Sequence, residues 1–194
     1  MGRPRAFDRD QAIEQAMDVF WRHGYEGASM AELTDAMGIN PPSVYGAFGN
    51  KEGLFRAVLD RYAEGRADFM DDVLSAPTSR QVVERYLRGS AELALEPKKP
   101  AGCLVLQSGL TCGKGGEAVV EELTERRRDP ECRLKTRFER ARDEGDLPRG
   151  LDPLTLARYL VAVNNGLCVQ ATGGATRRDL QQVAEMALRA WPGN

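Results

Sequence analysis

Ser29-Met30-Ala31-Glu32-Leu33-Thr34-Asp35-Ala36-Met37-Gly38-Ile39-Asn40-Pro41-Pro42-Ser43-Val44-Tyr45-Gly46-Ala47-Phe48 is the stretch that decides the fold. Ser29 followed three residues later by Glu32 forms a capping-box pattern, in which hydroxyl and carboxylate satisfy each other's free backbone amides at a helix start. The helix opened there ends at Met37-Gly38. Asn40-Pro41-Pro42 then supplies a cap and a proline at the first helical position, where the missing N–H costs nothing, and starts a second short helix through Phe48. The junction Met37-Gly38-Ile39-Asn40 is the tight glycine-containing turn of a helix-turn-helix.

From Ala36 to Asn50 no side chain is charged. A helix meant to lie in a major groove needs small or hydrogen-bonding side chains at its N-terminal end, since bulky or anionic ones hold it off the base edges and phosphates. Asn40, Pro42, Ser43 and Tyr45 meet that demand. Phosphate contacts are expected at the borders: Arg3 and Arg5 on an N-terminal arm, the helix start at Ser29-Met30, the Tyr45 hydroxyl and Lys51.

Outward from this motif the periodicity is helical. Asp8 caps a helix over 9–23 that carries Ile13, Ala16, Met17 and Phe20 and stops at His23-Gly24. Asn50 caps a longer one whose Leu54, Phe55, Val58, Leu59 and Tyr62 form one apolar stripe. Beyond Pro77, helices are expected at about 79–95, 102–112, 117–145, 153–172 and 177–190, with Pro130 either kinking or splitting the longest. No segment alternates as a strand does, so the expected class is all-α with about nine helices. Residues 1–52 are expected to form a DNA-binding head and 53–194 a larger helical domain.

The overall charge gives no such hint. With 27 Lys and Arg against 29 Asp and Glu, a net charge of -2 and a pI of 5.6, the chain lacks the basic excess that nucleic-acid binding often leaves, so placement must carry the case. No stretch reaches the ~18 apolar residues of a membrane span, and the N-terminus MGRPRAFDRD has no apolar signal region. A cytoplasmic protein without membrane partners is expected. The four cysteines form no C-x-x-C pair and there is one histidine, His23, so neither zinc nor any other cofactor is implied. On a continuous helix Cys103 and Cys112 fall on opposite faces, poorly aimed for a disulfide with each other. An enzyme reading lacks a general base near any cysteine. The basic run around Arg126-Arg127-Arg128 is interleaved with Glu125, Asp129 and Glu131 and reads as a solvated helix face.

The segments Gly24-Tyr25-Glu26-Gly27-Ala28-Ser29-Met30-Ala31-Glu32-Leu33, Met37-Gly38-Ile39-Asn40-Pro41-Pro42-Ser43-Val44-Tyr45 and Phe48-Gly49-Asn50-Lys51-Glu52-Gly53-Leu54-Phe55 resemble the TetR family of repressors. The resemblance covers roughly the first sixty residues. It implies a homodimer whose helices one to three bind a near-palindromic double-stranded operator, while the remaining helices hold a small-molecule effector and the dimer interface. By the same resemblance Ser29, Pro42, Ser43, Tyr45 and Lys51 sit where family members touch DNA; Gly46-Ala47 depart from the pattern, where a larger residue often follows the tyrosine. The last two helices would pair with their symmetry mates through Ala162, Gly166, Leu167, Leu180, Val183, Ala184, Ala187 and Leu188. From helix membership and residue type, Tyr62, Tyr86, Cys103, Leu106, Phe138 and Asn164 are the candidate walls of a ligand pocket for an apolar or weakly polar molecule. The competing readings are a thiol-based redox-sensing regulator of the same fold and a helical adaptor that binds only protein.

Overall fold

The computed structural model describes residues 7–111 and 117–193. Among them the chain forms α1 (Arg9–Gly27), α2 (Met30–Met37), α3 (Pro41–Phe48), α4 (Lys51–Ser75), α5 (Ser79–Leu93), α6 (Leu104–Thr111), α7 (Glu117–Asp143), α8 (Pro153–Thr172) and α9 (Arg177–Arg189), with no strand. The residue ahead of a helix sets its start. The Asp8 carboxylate accepts from the Asp10 and Gln11 amides, Asn40 from Ser43, Asn50 from Gly53, and Thr78 from Gln81. Ser29 with Glu32 and Thr176 with Asp179 form reciprocal capping boxes. Each such cap contributes about 1 kcal/mol by satisfying amides that the helix itself leaves free.

One expected boundary shifts, and one open question closes. At Gly24 the backbone turns to φ 69° and ψ 177°, which ends the regular part of α1 where the sequence predicts, but one further turn reaches Gly27. α7 runs through Pro130 as one helix, although the ring cannot donate to the Arg126 carbonyl. Cys112, expected on α6, lies outside the described residues.

Two clusters of buried side chains hold the helices. The first joins Ile13, Phe20, Leu33, Val44 and Phe55, and it takes in Leu104 and Val105 of α6 and Val119 and Leu123 of α7. Phe55 meets Phe20 edge-on at 4.8 Å and Tyr25 at 5.0 Å. Burial of each such side chain is worth about 1.5–3 kcal/mol, so α1, α4 and α6 are one packed unit. The second cluster gathers Val82, Leu87, Leu134, Phe138, Leu160, Leu167, Leu180 and Trp191. At its edge the buried Arg137 donates to the Ala76 and Pro77 carbonyls at 2.8 and 3.1 Å, closing the turn between α4 and α5.

The faces of α8 and α9 divide the residues expected at the interface. Leu167, Leu180, Ala184, Ala187 and Leu188 are buried within the chain. α9 needs its apolar stripe to close the second core against α5, an approach that its alanines allow and that the Arg88–Glu185 ion pair at 2.6 Å fastens. Ala162, Gly166 and Val183 do face outward, beside the exposed Tyr159, Val169 and Met186.

Candidate nucleic-acid interface and cavity

α3 is eight residues long and buries two of them, Val44 and Phe48. Its other side is open: Pro41, Pro42, Gly46 and Ala47 are exposed, Ser43 is half-buried, and the Tyr45 ring is 48% exposed. An aromatic side chain left this far out of the core is not there for packing. Gly46 has helical geometry and open space where a Cβ would stand, so nothing inside the molecule requires a glycine. Gly38, by contrast, closes α2 in the left-handed region at φ 63°, which the turn into α3 needs. At Gly53 a Cβ would come within 2.0 Å of the Phe48 carbonyl oxygen, so the end of α3 rests directly on the first turn of α4.

The borders of α3 carry the cations. Lys51 holds its ammonium 4.6 Å from the Tyr25 ring centre and donates to the Glu26 carbonyl at 3.5 Å, which places a positive charge at a helix start that would otherwise repel it. Arg9 lies over the Phe48 ring at 5.1 Å. Sequence reasoning missed it as a candidate, because only the fold brings the first turn of α1 to the end of α3. Asn40 is exposed, with its Oδ1 engaged by the Ser43 amide at 2.9 Å, leaving its NH₂ as the group it can offer. Met30 is half-buried against the head core. Arg3 and Arg5 lie outside the described residues.

The Ser29 side chain is engaged at its own helix start. Its hydroxyl donates to Glu32 Oε2 at 2.8 Å and accepts from the Glu32 amide at 3.1 Å, while its own amide donates to the same carboxylate at 2.9 Å. These bonds hold the Glu32 carboxyl below its ordinary range. Any phosphate contact at this end therefore falls to the remaining amides of the first turn rather than to the hydroxyl. Two other head carboxylates are also engaged away from α3. Asp8 caps α1, and Glu14 pairs with Lys99 at 2.8 Å and Arg61 at 2.9 Å on the side of α4. Those two cations lower the Glu14 pKa, with Lys99 the larger cause.

Below the head, α4 to α8 enclose a cavity of about 830 Å³. Tyr62, Tyr86, Cys103, Leu106 and Asn164 all line it, together with Leu59, Met70, Val161 and Cys168. Phe138 does not: it is fully buried against Trp191, ring centres 5.0 Å apart, because its position on α7 turns it into the second core. Sequence reasoning also missed the charged part of the wall. Arg56, Glu122, Arg126 and Arg133 line the cavity, and three ion pairs tie α4 to α7 there: Arg56–Glu122 at 2.9 Å, Arg126–Asp60 and Arg133–Asp71. Alternation of charges in the sequence marks these as a solvated face, and only the approach of α4 turns them into a seam.

A helix-turn-helix head with an open recognition helix, standing on a helical body that encloses a cavity, defines a class of ligand-responsive DNA-binding regulators. Residues 12–58 match the model of the bacterial regulatory proteins of the tetR family. The chain is 35% identical over 193 residues to the HTH-type transcriptional repressor ComR of Escherichia coli (strain K12), covering 98% of this chain and 92% of ComR. It is 43% identical over 108 residues to the repressor BdcR of the same organism, about half of each chain. Its structure matches that of a cysteine-substituted TetR family regulator, CifR, complexed with 26-bp double-strand operator DNA, with a TM-score of 0.93, 46% identity and coverage of 98% and 100% of the two chains. The chain belongs to the TetR family of transcriptional regulators.

Proposed function

We propose that this chain is a repressor that binds a near-palindromic operator as a homodimer and releases it when a small molecule occupies the cavity. The observation that carries this reading is the outward face of α3, with a half-exposed Tyr45 beside a Gly46 that no packing requires. Bare backbone next to an exposed hydroxyl suits close approach to a groove. Operator binding by CifR and the repressor role of ComR support it. A second copy is expected on the outer face of α8 and α9, where Tyr159, Val169, Val183 and Met186 leave large apolar groups in water. The dimer would set two recognition helices ~34 Å apart, one turn of DNA. A cavity of about 830 Å³ falls within the range of small-molecule sites. Its occupant works by binding the DNA-incompetent arrangement of α4 more tightly than the competent one.

Gel retardation with fragments from upstream of the protein's own gene tests the reading. Retarded bands are expected at low salt; their absence from every fragment sinks it. Tyr45→Ala and Lys51→Ala are expected to weaken binding to all sequences alike, whereas changes at Pro42 or Ser43 alter which sequence is preferred. A protein-only adaptor would show no effect of Tyr45→Ala on DNA retention.

A further inference from the structure

One wall of the cavity gathers more hydrogen-bond donors around a single atom than an apolar pocket needs. The Tyr62 hydroxyl of α4 donates to Cys103 Sγ at 3.4 Å. The Cys168 thiol of α8, which donates to Asn164 Oδ1 at 4.0 Å, lines the same part of the cavity, and the Val105 and Leu106 amides open the helix that follows Cys103, so all three bear on this sulfur. The charged and titratable groups around this sulfur are Tyr62 and Arg66 of α4, Tyr86 of α5 and Cys168 of α8. The Arg66 guanidinium stacks over the Tyr62 ring at 5.1 Å and pairs with Glu96 at 3.4 Å. Donors and a nearby cation favour a thiolate. Burial opposes it, but the Cys168 thiol above all, with Tyr62 and the two amides, outweighs burial and brings the Cys103 pKa down. Cys168 and Tyr62 are pushed up, so both keep their protons as donors.

We propose that the cavity is a covalent capture site for α,β-unsaturated carbonyl compounds, with Cys103 Sγ as the nucleophile and the Tyr62 hydroxyl as the donor to the carbonyl oxygen. The proposal rests on the reading of the cavity as the effector site. In the step, the sulfur lone pair forms a bond to the β-carbon and the alkene π pair shifts toward the carbonyl oxygen as an enolate. Tyr62 donates a hydrogen bond to that oxygen, and a proton equal to the one Cys103 gave up on ionising is then taken up at the α-carbon. The sum is thiol plus enone giving a thioether, with no oxidant or reductant. A donor 3.4 Å from the attacking sulfur lies within reach of an oxygen a few bonds from the attacked carbon.

The adduct has a direct route to the head. The sulfur loses its bond from Tyr62, and the Tyr62 ring stands edge-on to Trp21 of α1 with centres 5.2 Å apart. The Trp21 Nε1 is buried without a partner, so its surroundings change when Tyr62 moves. The chain's other tryptophan, Trp191, lies in the second core against Phe138.

The test treats the full-length protein with cyclohex-2-enone between about pH 5 and pH 9, following intact mass, peptide maps and tryptophan fluorescence. A single adduct on Cys103 is expected, forming about tenfold faster at neutral pH than any on the exposed Cys132. Its rate should rise with a pH midpoint below the ordinary thiol value of ~8.5. Tyr62→Phe should slow the reaction and raise that midpoint, Cys103→Ser should abolish the adduct, and Cys132→Ser should leave it unchanged. Trp21→Phe should remove the fluorescence change but not the adduct. First labelling at Cys112, Cys132 or Cys168, a midpoint at the ordinary value, or reversible binding with no mass gain overturns the proposal. Reversible binding would leave the effector reading standing. Labelling of Cys103 in a protein that retains no operator fragment would sustain the capture site and sink the repressor reading instead.

Discussion

α3 and α8 show how differently the two ends of this molecule use apolar residues. α3 has one inner face, Val44 and Phe48, with Ser43 half-buried and the rest of the helix outward. α8 divides three ways: Leu160, Leu167 and Ala171 enter the core, Val161, Asn164 and Cys168 face the cavity, and Tyr159 and Val169 stand in water. In the head, residue type and position therefore report the environment directly. In the body a valine can be core, cavity wall or outer face, and only packing decides among them.

The comparison breaks most sharply if head and body prove separable. Phe55 and Phe20 share a core with Leu104 and Val105 of α6, so Phe55→Ala should cost about 3–5 kcal/mol and lower the unfolding midpoint of the whole chain. Coincident urea transitions by circular dichroism and by tryptophan fluorescence are expected, and a separate early melting of the head would contradict the shared core. Ser29→Ala, which opens the capping box of α2, should cost about 1 kcal/mol, measured by the same unfolding curves. Gly46→Ala sharpens the contrast in the other direction. With open space at the Cβ position, it should raise stability by about 0.5–1 kcal/mol while weakening operator retention; a loss of stability would mean the glycine serves the fold. The smallest effect is expected at the link between the two regions. The Glu14 carboxyl has a lowered pKa in the folded chain, so its pairing with Lys99 and Arg61 stabilises above the unfolded carboxylate value of ~4.3. That contribution is lost as pH falls through the lower folded value. Glu14→Gln should lower the thermal midpoint slightly at pH 7 and make no difference in strong acid.

Much of the head was legible because its determinants are local. Asp8, Ser29, Asn40 and Asn50 each act on amides two or three residues away, and the Gly38 turn needs no distant partner. Arg9 escaped notice because its neighbour Phe48 is far along the chain. The body was legible as helices but only partly as a site. Of the proposed walls, Phe138 turned into the core because its place on α7 is set by α9 and Trp191, not by its own type. The same physics governs Leu180, Ala184, Ala187 and Leu188, which pack within the chain: a small-residue stripe looks alike whether it meets another copy or the chain's own α5. The Cys103 environment was illegible for a related reason, since Tyr62 comes from α4, Cys103 from the residue ahead of α6 and Cys168 from α8.

α4 has a mechanical consequence that follows from its length alone. Its 25 residues make a rod of ~37 Å, so a tilt of about one degree about its lower end sweeps the upper end by ~0.6 Å. The Phe48–Gly53 contact leaves no slack at that upper end. Rotations too slight to disturb the body's packing are thus magnified at the tip, which is where the spacing of two reading heads has the least tolerance.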